Sequence, residues 1–178
     1  MALTSTVFVF DVDLSDTDRH VYETLSLRVA RHPSESDEFL VARLLAYCLE
    51  YTEGIEFSKG LSAADDPPIA VRDLTGTLQA WIDVGTPSVE RLHRASKAAP
   101  RVAVYVHKEH RQWLSELASA RIHRADAIAL HALDQPLIAQ LVARLDRRMS
   151  FPLTVADGEV FIALKDGTIS GQTRRLEL

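Results

Sequence analysis

The sequence predicts an α/β protein with a mixed central sheet flanked by helices, an N-terminal hairpin and a C-terminal antiparallel meander. Three patterns indicate this fold class. Apolar and polar residues alternate near the N-terminus with the period of a β-strand. Short apolar segments then alternate with amphipathic segments, which is typical of parallel strands joined by helical crossovers. Two Asp-Gly pairs near the C-terminus indicate tight hairpin turns.

The N-terminal part predicts a hairpin followed by a helix. Residues 6–14 and 19–30 both alternate between apolar and polar, and residues 15–18 between them are turn formers, so the two strands are expected to pair. The hydroxyl of Ser34 can cap the free backbone amides of the following helix. Acidic residues in the first turn of that helix suit the positive end of the helix dipole. Helical spacing of apolar residues continues to about Tyr51.

The rest of the chain predicts alternating strands and helices and then a meander. Pro and Gly residues and capping residues separate the segments. The expected strands are 55–57, 69–71, 78–84, 101–106, 126–130, 150–156 and 159–164, and the expected helices follow Ser88, span 108–120 and follow Asp134.

Length and composition indicate one soluble domain. The 178 residues, 47% of them apolar, are enough for one packed domain spanning 1–178, with residues 149–175 as a small appendage. Cys48 is alone, which excludes a disulfide framework and suits a reducing cytosol. There is no signal-peptide pattern, and no apolar stretch approaches the roughly 20 residues that span a bilayer. We therefore expect a cytoplasmic location and no membrane partner.

The charge is distributed unevenly. The net charge of −5 argues weakly against nucleic acid, whose binding depends on Lys and Arg. Residues 91–124, however, carry eight basic and two acidic side chains. This segment, including Arg91 and Arg94, could form a surface that faces phosphates, although solvated helix faces commonly collect the same charge.

Three aspartates are candidate ligands of a divalent metal. Asp83 lies near the end of an otherwise apolar strand, where it needs exposure, a cation partner or a metal. Asp65 and Asp66 precede that strand in a loop. If the loop approaches the strand end, the repulsion between the carboxylates is relieved by protonation or by a cation. Magnesium prefers such oxygen ligands, so a Mg²⁺ site is one expectation.

Other side chains could complete such a site. Lys59 or Lys97 could stabilise charge on a phosphoryl group, and Glu38 could hold a metal-bound water. Each residue has a structural alternative. Lys97 could be a cation favoured at a helix C-terminus, and Glu38 could pair with Arg43 or Arg31.

Several other kinds of site are excluded by the sequence. His93 has no acid four residues later and no second histidine on its helix face, so no zinc-binding helix is indicated. The other histidines are scattered. No serine lies in a Gly-x-Ser-x-Gly elbow, and no glycine-rich phosphate or dinucleotide loop is present.

Several separated blocks of the sequence carry a family resemblance. They are Leu14-Ser15-Asp16, Asp18-Arg19-His20, Ala30-Arg31-His32-Pro33-Ser34-Glu35, Arg43-Leu44-Leu45-Ala46, Glu56-Phe57, Lys59-Gly60-Leu61-Ser62, Trp81-Ile82, Gly85 and Pro87. In these blocks the chain resembles the YaeQ family of bacterial proteins, and the resemblance extends over nearly the whole chain. That family is similar in fold to the PD-(D/E)XK nuclease-like group, whose members bind magnesium through acids on neighbouring strands with a lysine beside them.

The resemblance implies a modified nuclease motif. The second acid matches Asp83, whereas the motif lysine falls at Gly85, so Lys59 or Lys97 would have to supply the amine. The Pro-Asp pair falls near Pro67-Pro68, which leaves Asp65 or Asp66 as substitutes. The helix glutamate of such folds matches Glu38 or Glu35.

Two functions are therefore expected as alternatives. The first is a Mg²⁺-dependent nuclease-like phosphodiesterase that uses the residues above and receives nucleic acid on the basic segment. The second is a non-catalytic adaptor that uses the same polar pocket to bind a protein or nucleic-acid partner. In the adaptor, the acids are balanced by Arg31, Arg43 and Lys59.

Overall fold

Two mixed β-sheets and four α-helices make up the part of the chain that the computed structural model describes, residues 4–58 and 65–178. The α/β class is thereby confirmed. The helices are α1 (Asp37–Leu49), α2 (Val89–Ala98), α3 (Arg111–Ser119) and α4 (Gln135–Ala143). The strands are β1 (Thr6–Asp16), β2 (Val21–Arg31), β3 (Ile55–Phe57), β4 (Ile69–Arg72), β5 (Leu78–Val84), β6 (Arg101–Val106), β7 (Ala129–Ala132), β8 (Arg148–Ala156), β9 (Glu159–Leu164), β10 (Gly167–Gln172) and β11 (Arg174–Leu176).

The first sheet joins the two ends of the chain in the order β10-β9-β8-β1-β2. The expected hairpin of β1 and β2 is confirmed, as is the antiparallel meander of β8, β9 and β10. Strand β8 pairs in parallel with β1, from Val9 opposite Arg148 to Asp16 opposite Val155. The meander, expected as an appendage, is therefore built into the same sheet as the hairpin.

The second sheet has the order β11-β7-β6-β5-β4-β3. Strands β5, β6 and β7 are parallel and are connected by α2 and α3, as the strand and helix alternation predicted. Strands β4 and β3 extend one side in antiparallel pairing, and β11 covers the other side beside β7. The carboxyl ends of β5 and β6, where ligands commonly bind in open α/β sheets, thus lie side by side.

Helices α1 and α4 lie in the main core, which contains side chains from both sheets. All residues from Leu40 to Cys48 of α1 are buried, because the helix contacts neighbours around its whole circumference. A second core lies between the opposite face of the second sheet and helices α2 and α3. Although α1 is apolar, no helix in the described ranges is long and apolar enough to cross a membrane.

Some element boundaries differ from those expected. The cap of α1 is Ser36, whose Oγ accepts from the backbone N–H of Phe39 at 3.1 Å, whereas Ser34 Oγ contacts His32 Nδ1 at 2.6 Å. The helix ends at Leu49, before the expected Tyr51. The strand expected at 126–130 starts later, because a short 3₁₀ turn precedes it.

Candidate functional site

Asp83 is a buried carboxylate on the face of the second sheet that α2 covers. It is 4% exposed and lies two residues after Trp81, so both side chains point the same way. Arg91 of α2 donates from Nε to Asp83 Oδ2 at 2.7 Å, and Trp81 Nε1 donates to the same oxygen at 3.1 Å. The Arg91 guanidinium also lies 5.2 Å from the centroid of the Trp81 ring. A guanidinium and an indole N–H therefore satisfy this buried charge.

The loop acids reach the same end of β5 through arginines. Arg91 Nη2 donates to the backbone oxygen of Asp66 at 2.9 Å, and Arg94 Nη1 donates to Asp65 Oδ1 at 2.7 Å. We call Asp65, Asp66, Asp83, Arg91 and Arg94 the acid–arginine cluster. The structure thus brings the three predicted acids to the same end of β5, where Arg91 binds the Asp83 carboxylate and Arg94 binds the Asp65 carboxylate. Among residues 4–58 and 65–178, no three His, Cys, Asp or Glu side chains are grouped so as to hold a metal ion.

The lysine positions implied by the nuclease resemblance give no amine beside Asp83 in the described chain. Lys59 lies outside the described residues. Gly85 has φ of +92°, a backbone conformation in which a lysine would be strained. Lys97 is exposed in the last turn of α2, six residues after Arg91 and hence about 9 Å further along the helix.

The start of α1 holds the remaining predicted pocket residues. Arg43 is buried, and its Nη2 donates to the backbone oxygen of Ala30 at 2.7 Å and to Glu35 at 3.4 Å. Burial lowers the pKa of Arg43, against an opposing effect of Glu35. Arg31 pairs with Asp37, so the acids that these arginines contact are Glu35 and Asp37 rather than the suggested Glu38.

Glu38 lies on the opposite side of the second sheet from Asp83. It is exposed in the first turn of α1, which packs on the face of β5 formed by Ile82 and Val84. Asp83 points to the other face, toward α2. The sheet therefore separates the predicted water-holding glutamate from the predicted metal ligand.

His107 was not distinguished from the other histidines by its sequence. It follows β6 and is 5% exposed, and neither ring nitrogen has a hydrogen-bond partner in the described structure. Its ring lies 6.2 Å from that of Phe39, measured between centroids. Burial lowers its pKa to about 4, with a smaller lowering by Lys108 and an opposing effect of Glu38. His107 is therefore a neutral, desolvated imidazole.

Basic residues of α2 and of the loop before β7 lie near each other, and we call them the basic surface. His93 of α2 accepts at Nδ1 from the backbone N–H of His123 at 3.1 Å, so the loop before β7 lies against the helix. Arg124 Nη2 in turn donates to the backbone oxygen of Pro100 at 2.7 Å. The members of the basic surface are His93, Arg94, Lys97, Arg121, His123 and Arg124.

A second charged cluster was missed by the sequence interpretation. Glu50, the residue directly after α1, is buried. It accepts hydrogen bonds from Nη1 and Nη2 of Arg101 at 2.6 and 3.0 Å and from the hydroxyl of Tyr105 at 2.7 Å. The bond to Glu50 raises the pKa of Arg101, and burial followed by Glu50 raises that of Tyr105. A glutamate directly after a long apolar helix was the available signal, but its partners lie 51 and 55 residues away.

Fold and site define an α/β protein of two mixed sheets in which arginines neutralise buried carboxylates beside the parallel strands. The chain belongs to the YaeQ family, because the family model for YaeQ protein matches residues 1–173.

Relatives and solved structures agree with this assignment. The chain is 31% identical to YaeQ of Escherichia coli K12 and 32% identical to YaeQ of Salmonella typhi, over 92% of this chain and 91% of each relative. It is similar to the crystal structure of YaeQ from Xanthomonas axonopodis pv. citri, with a TM-score of 0.89 and 33% identity over 97% of this chain and 98% of that one. The YaeQ structure from Pseudomonas syringae gives 0.86 and 29% over 97% and 96%.

Proposed function

We propose that the protein is a non-catalytic, cytoplasmic binding protein that holds a nucleic-acid backbone on its basic surface. The observation that carries this proposal is a set of three cations, Lys97, Arg121 and Arg124. Among the described residues, none of them has a carboxylate within ion-pair distance. Exposed cations without acidic partners are available to neutralise phosphates and release counterions.

The acid–arginine cluster supports a binding role over catalysis. Phosphodiester cleavage with magnesium needs carboxylates open to the ion, whereas Asp83 is buried and accepts a hydrogen bond from Arg91 at 2.7 Å. The exposed Asp65 is paired with Arg94 at 2.7 Å. The same pairs fix the N-terminal half of α2 against β5 and the preceding loop. The cluster thereby holds in place the helix that presents Arg94 and Lys97.

The side chains of the basic surface favour contacts with phosphate over contacts with bases. Stacking on bases requires exposed aromatic rings. The rings of the basic surface are the imidazoles of His93 and His123, which contact each other edge to face, and the exposed large apolar residues of the described chain lie elsewhere. They are Val7, Tyr22, Leu74 and Leu178. We therefore expect binding that is sensitive to salt and tolerant of sequence.

Neutralising the three cations tests the proposal. The triple variant Lys97→Gln, Arg121→Gln, Arg124→Gln should lower the affinity for a fluorescent duplex by at least about tenfold at low salt. It should also reduce the slope of log K against log salt by about three, since each lost phosphate contact removes roughly one. Fluorescence anisotropy over a salt series gives both quantities.

A matched control distinguishes the effect of the basic surface on affinity from the effect of the protein's net charge. The variant Arg28→Gln, Arg148→Gln, Lys165→Gln removes the same charge from exposed positions outside the basic surface and should retain wild-type affinity within about twofold. Equal weakening by both triple variants, or no binding by the wild type, would contradict the proposal.

The second candidate is the Mg²⁺-dependent phosphodiesterase implied by the resemblance to the PD-(D/E)XK group. It is favoured by the approach of Asp65 and Asp66 to the end of β5 that holds Asp83. In this case Arg91 would have to move away from Asp83 when the metal binds. Glu38 would reach the metal only from around the edge of the sheet.

Calorimetry with Mg²⁺ and Mn²⁺ distinguishes the two candidates. The binding proposal predicts no saturable heat, and no cleavage of DNA or RNA when either ion is present. Millimolar or tighter metal binding that disappears in Asp83→Asn would instead favour the enzyme. Circular dichroism of this variant checks that it remains folded.

A further inference from the structure

A cleft lies where the second sheet meets the ends of the first sheet. Its floor is a row of three side chains on adjacent strands, because His131 of β7 is opposite both Tyr105 of β6 and Arg175 of β11. The rings of Tyr105 and His131 stack with centroids 4.8 Å apart and an interplanar angle of 15°. Arg101 lies four residues before Tyr105 on β6 and points to the same face.

The walls of the cleft come from separate parts of the chain. The turn after β1, the end of α1 and the loops beside β8 and β11 surround a volume of about 390 Å³. Asp16, Asp18, Glu50, Gly158 and Thr173 are among the lining residues. The cleft is thus formed by the packing of the two sheets.

The acids of the cleft are already bound. Glu50 accepts from Arg101 and Tyr105. Asp16 accepts from Nε of Arg19 at 2.7 Å, and Asp18 accepts from the backbone N–H groups of Asp157 and Gly158 at 2.8 and 2.9 Å. None of these carboxylates therefore serves as the main partner of a further cation.

The donors of the cleft, in contrast, have capacity left. In the described part of the chain, Arg175 has no carboxylate within ion-pair distance and His131 makes no side-chain hydrogen bond. Arg101 uses two of its five N–H groups on Glu50, and its side chain is 48% exposed. Burial lowers the pKa of His131, with Glu50 opposing and Arg175 and Arg101 adding to the shift.

We propose that this cleft is a binding site for a small ligand that carries one carboxylate or phosphate group. The oxyanion lies between Arg175 and the free N–H groups of Arg101, and His131 donates a hydrogen bond to it. Guanidinium groups suit this chemistry because they present parallel N–H donors to two oxygens. Glu50 is a positioning residue that holds Arg101 and Tyr105. The proposal does not depend on nucleic-acid binding.

The test uses inorganic phosphate and acetate as separate probes, with calorimetry for affinity and NMR of the His131 imidazole for location. Arg175→Gln should weaken binding by about tenfold, because a charge-assisted pair is lost. Arg174→Gln is the matched control. It removes the same charge one residue earlier on β11, where the side chain points to the opposite face, and it should change the affinity by less than about twofold.

The outcomes separate clearly. Binding of either probe that shifts the His131 resonances and depends on Arg175 but not on Arg174 supports the site. The tighter of the two probes identifies the group that the ligand carries. No saturable binding of either probe up to about 10 mM, unchanged His131 resonances or equal effects of the two variants would overturn it.

Discussion

Replacing Arg91 with leucine is expected to destabilise the protein by about 3–5 kcal/mol, because it leaves the Asp83 carboxylate buried without its cation. Asp83 is 4% exposed and accepts from Arg91 at 2.7 Å. The indole N–H of Trp81 remains as a donor but carries no charge. Urea unfolding followed by circular dichroism measures the loss of unfolding free energy.

Two further variants test the cause of this loss. Arg94→Leu breaks the exposed pair with Asp65, whose side chains are 52% and 79% exposed, and should cost less than about 1 kcal/mol. The double variant Asp83→Leu, Arg91→Leu removes both charges and should regain most of the stability lost in Arg91→Leu. A small effect of Arg91→Leu, similar to that of Arg94→Leu, would show that Asp83 does not depend on the pair.

Acidification is expected to remove on the order of 3 kcal/mol of stability through His107 alone. The pKa of His107 is lowered from 6.5 to about 4 in the folded protein, chiefly by burial. Below pH 6.5 the unfolded chain therefore gains a proton that the folded protein does not accept. Stability from this group is complete above pH 6.5 and falls until the pH reaches about 4.

The variant His107→Phe isolates this contribution. Phenylalanine has a similar ring and lacks the two nitrogens that have no partner in the described structure, so it should retain or increase stability at pH 7. The difference in unfolding free energy between wild type and variant should then change by about 3 kcal/mol between pH 7 and pH 4. A difference that does not vary with pH, or a large loss of stability at pH 7, would mean that the nitrogens are bonded.

The local pattern predicted the elements better than their arrangement. Alternation along residues 6–14 and 19–30 is visible in the sequence because each strand has one buried face, and the hairpin follows from the short turn. The parallel pairing of β8 with β1 has no such signal, because nothing in the sequence of either strand shows which distant strand it pairs with. One central sheet was therefore expected where two are present.

The site shows the same division between local and long-range information. An aspartate inside an apolar strand requires exposure, a cation or a metal, and Asp83 has a cation supplied by a helix only eight residues later. The partner of Asp83 could thus have been predicted from the sequence, although Arg91 was instead predicted to bind nucleic acid. Glu50 and Arg101 are 51 residues apart, and only the packing of α1 against the second sheet brings them together.

The parallel pairing of the first and eighth strands has a consequence for biosynthesis. Strand β1 leaves the ribosome early, whereas Val9 meets Arg148 only after most of the chain has been translated. During that interval the edge of β1 that β8 later covers is open to association with other chains, in addition to the edge of β2. Slow elongation or premature termination before residue 148 should therefore increase aggregation or the demand for chaperones.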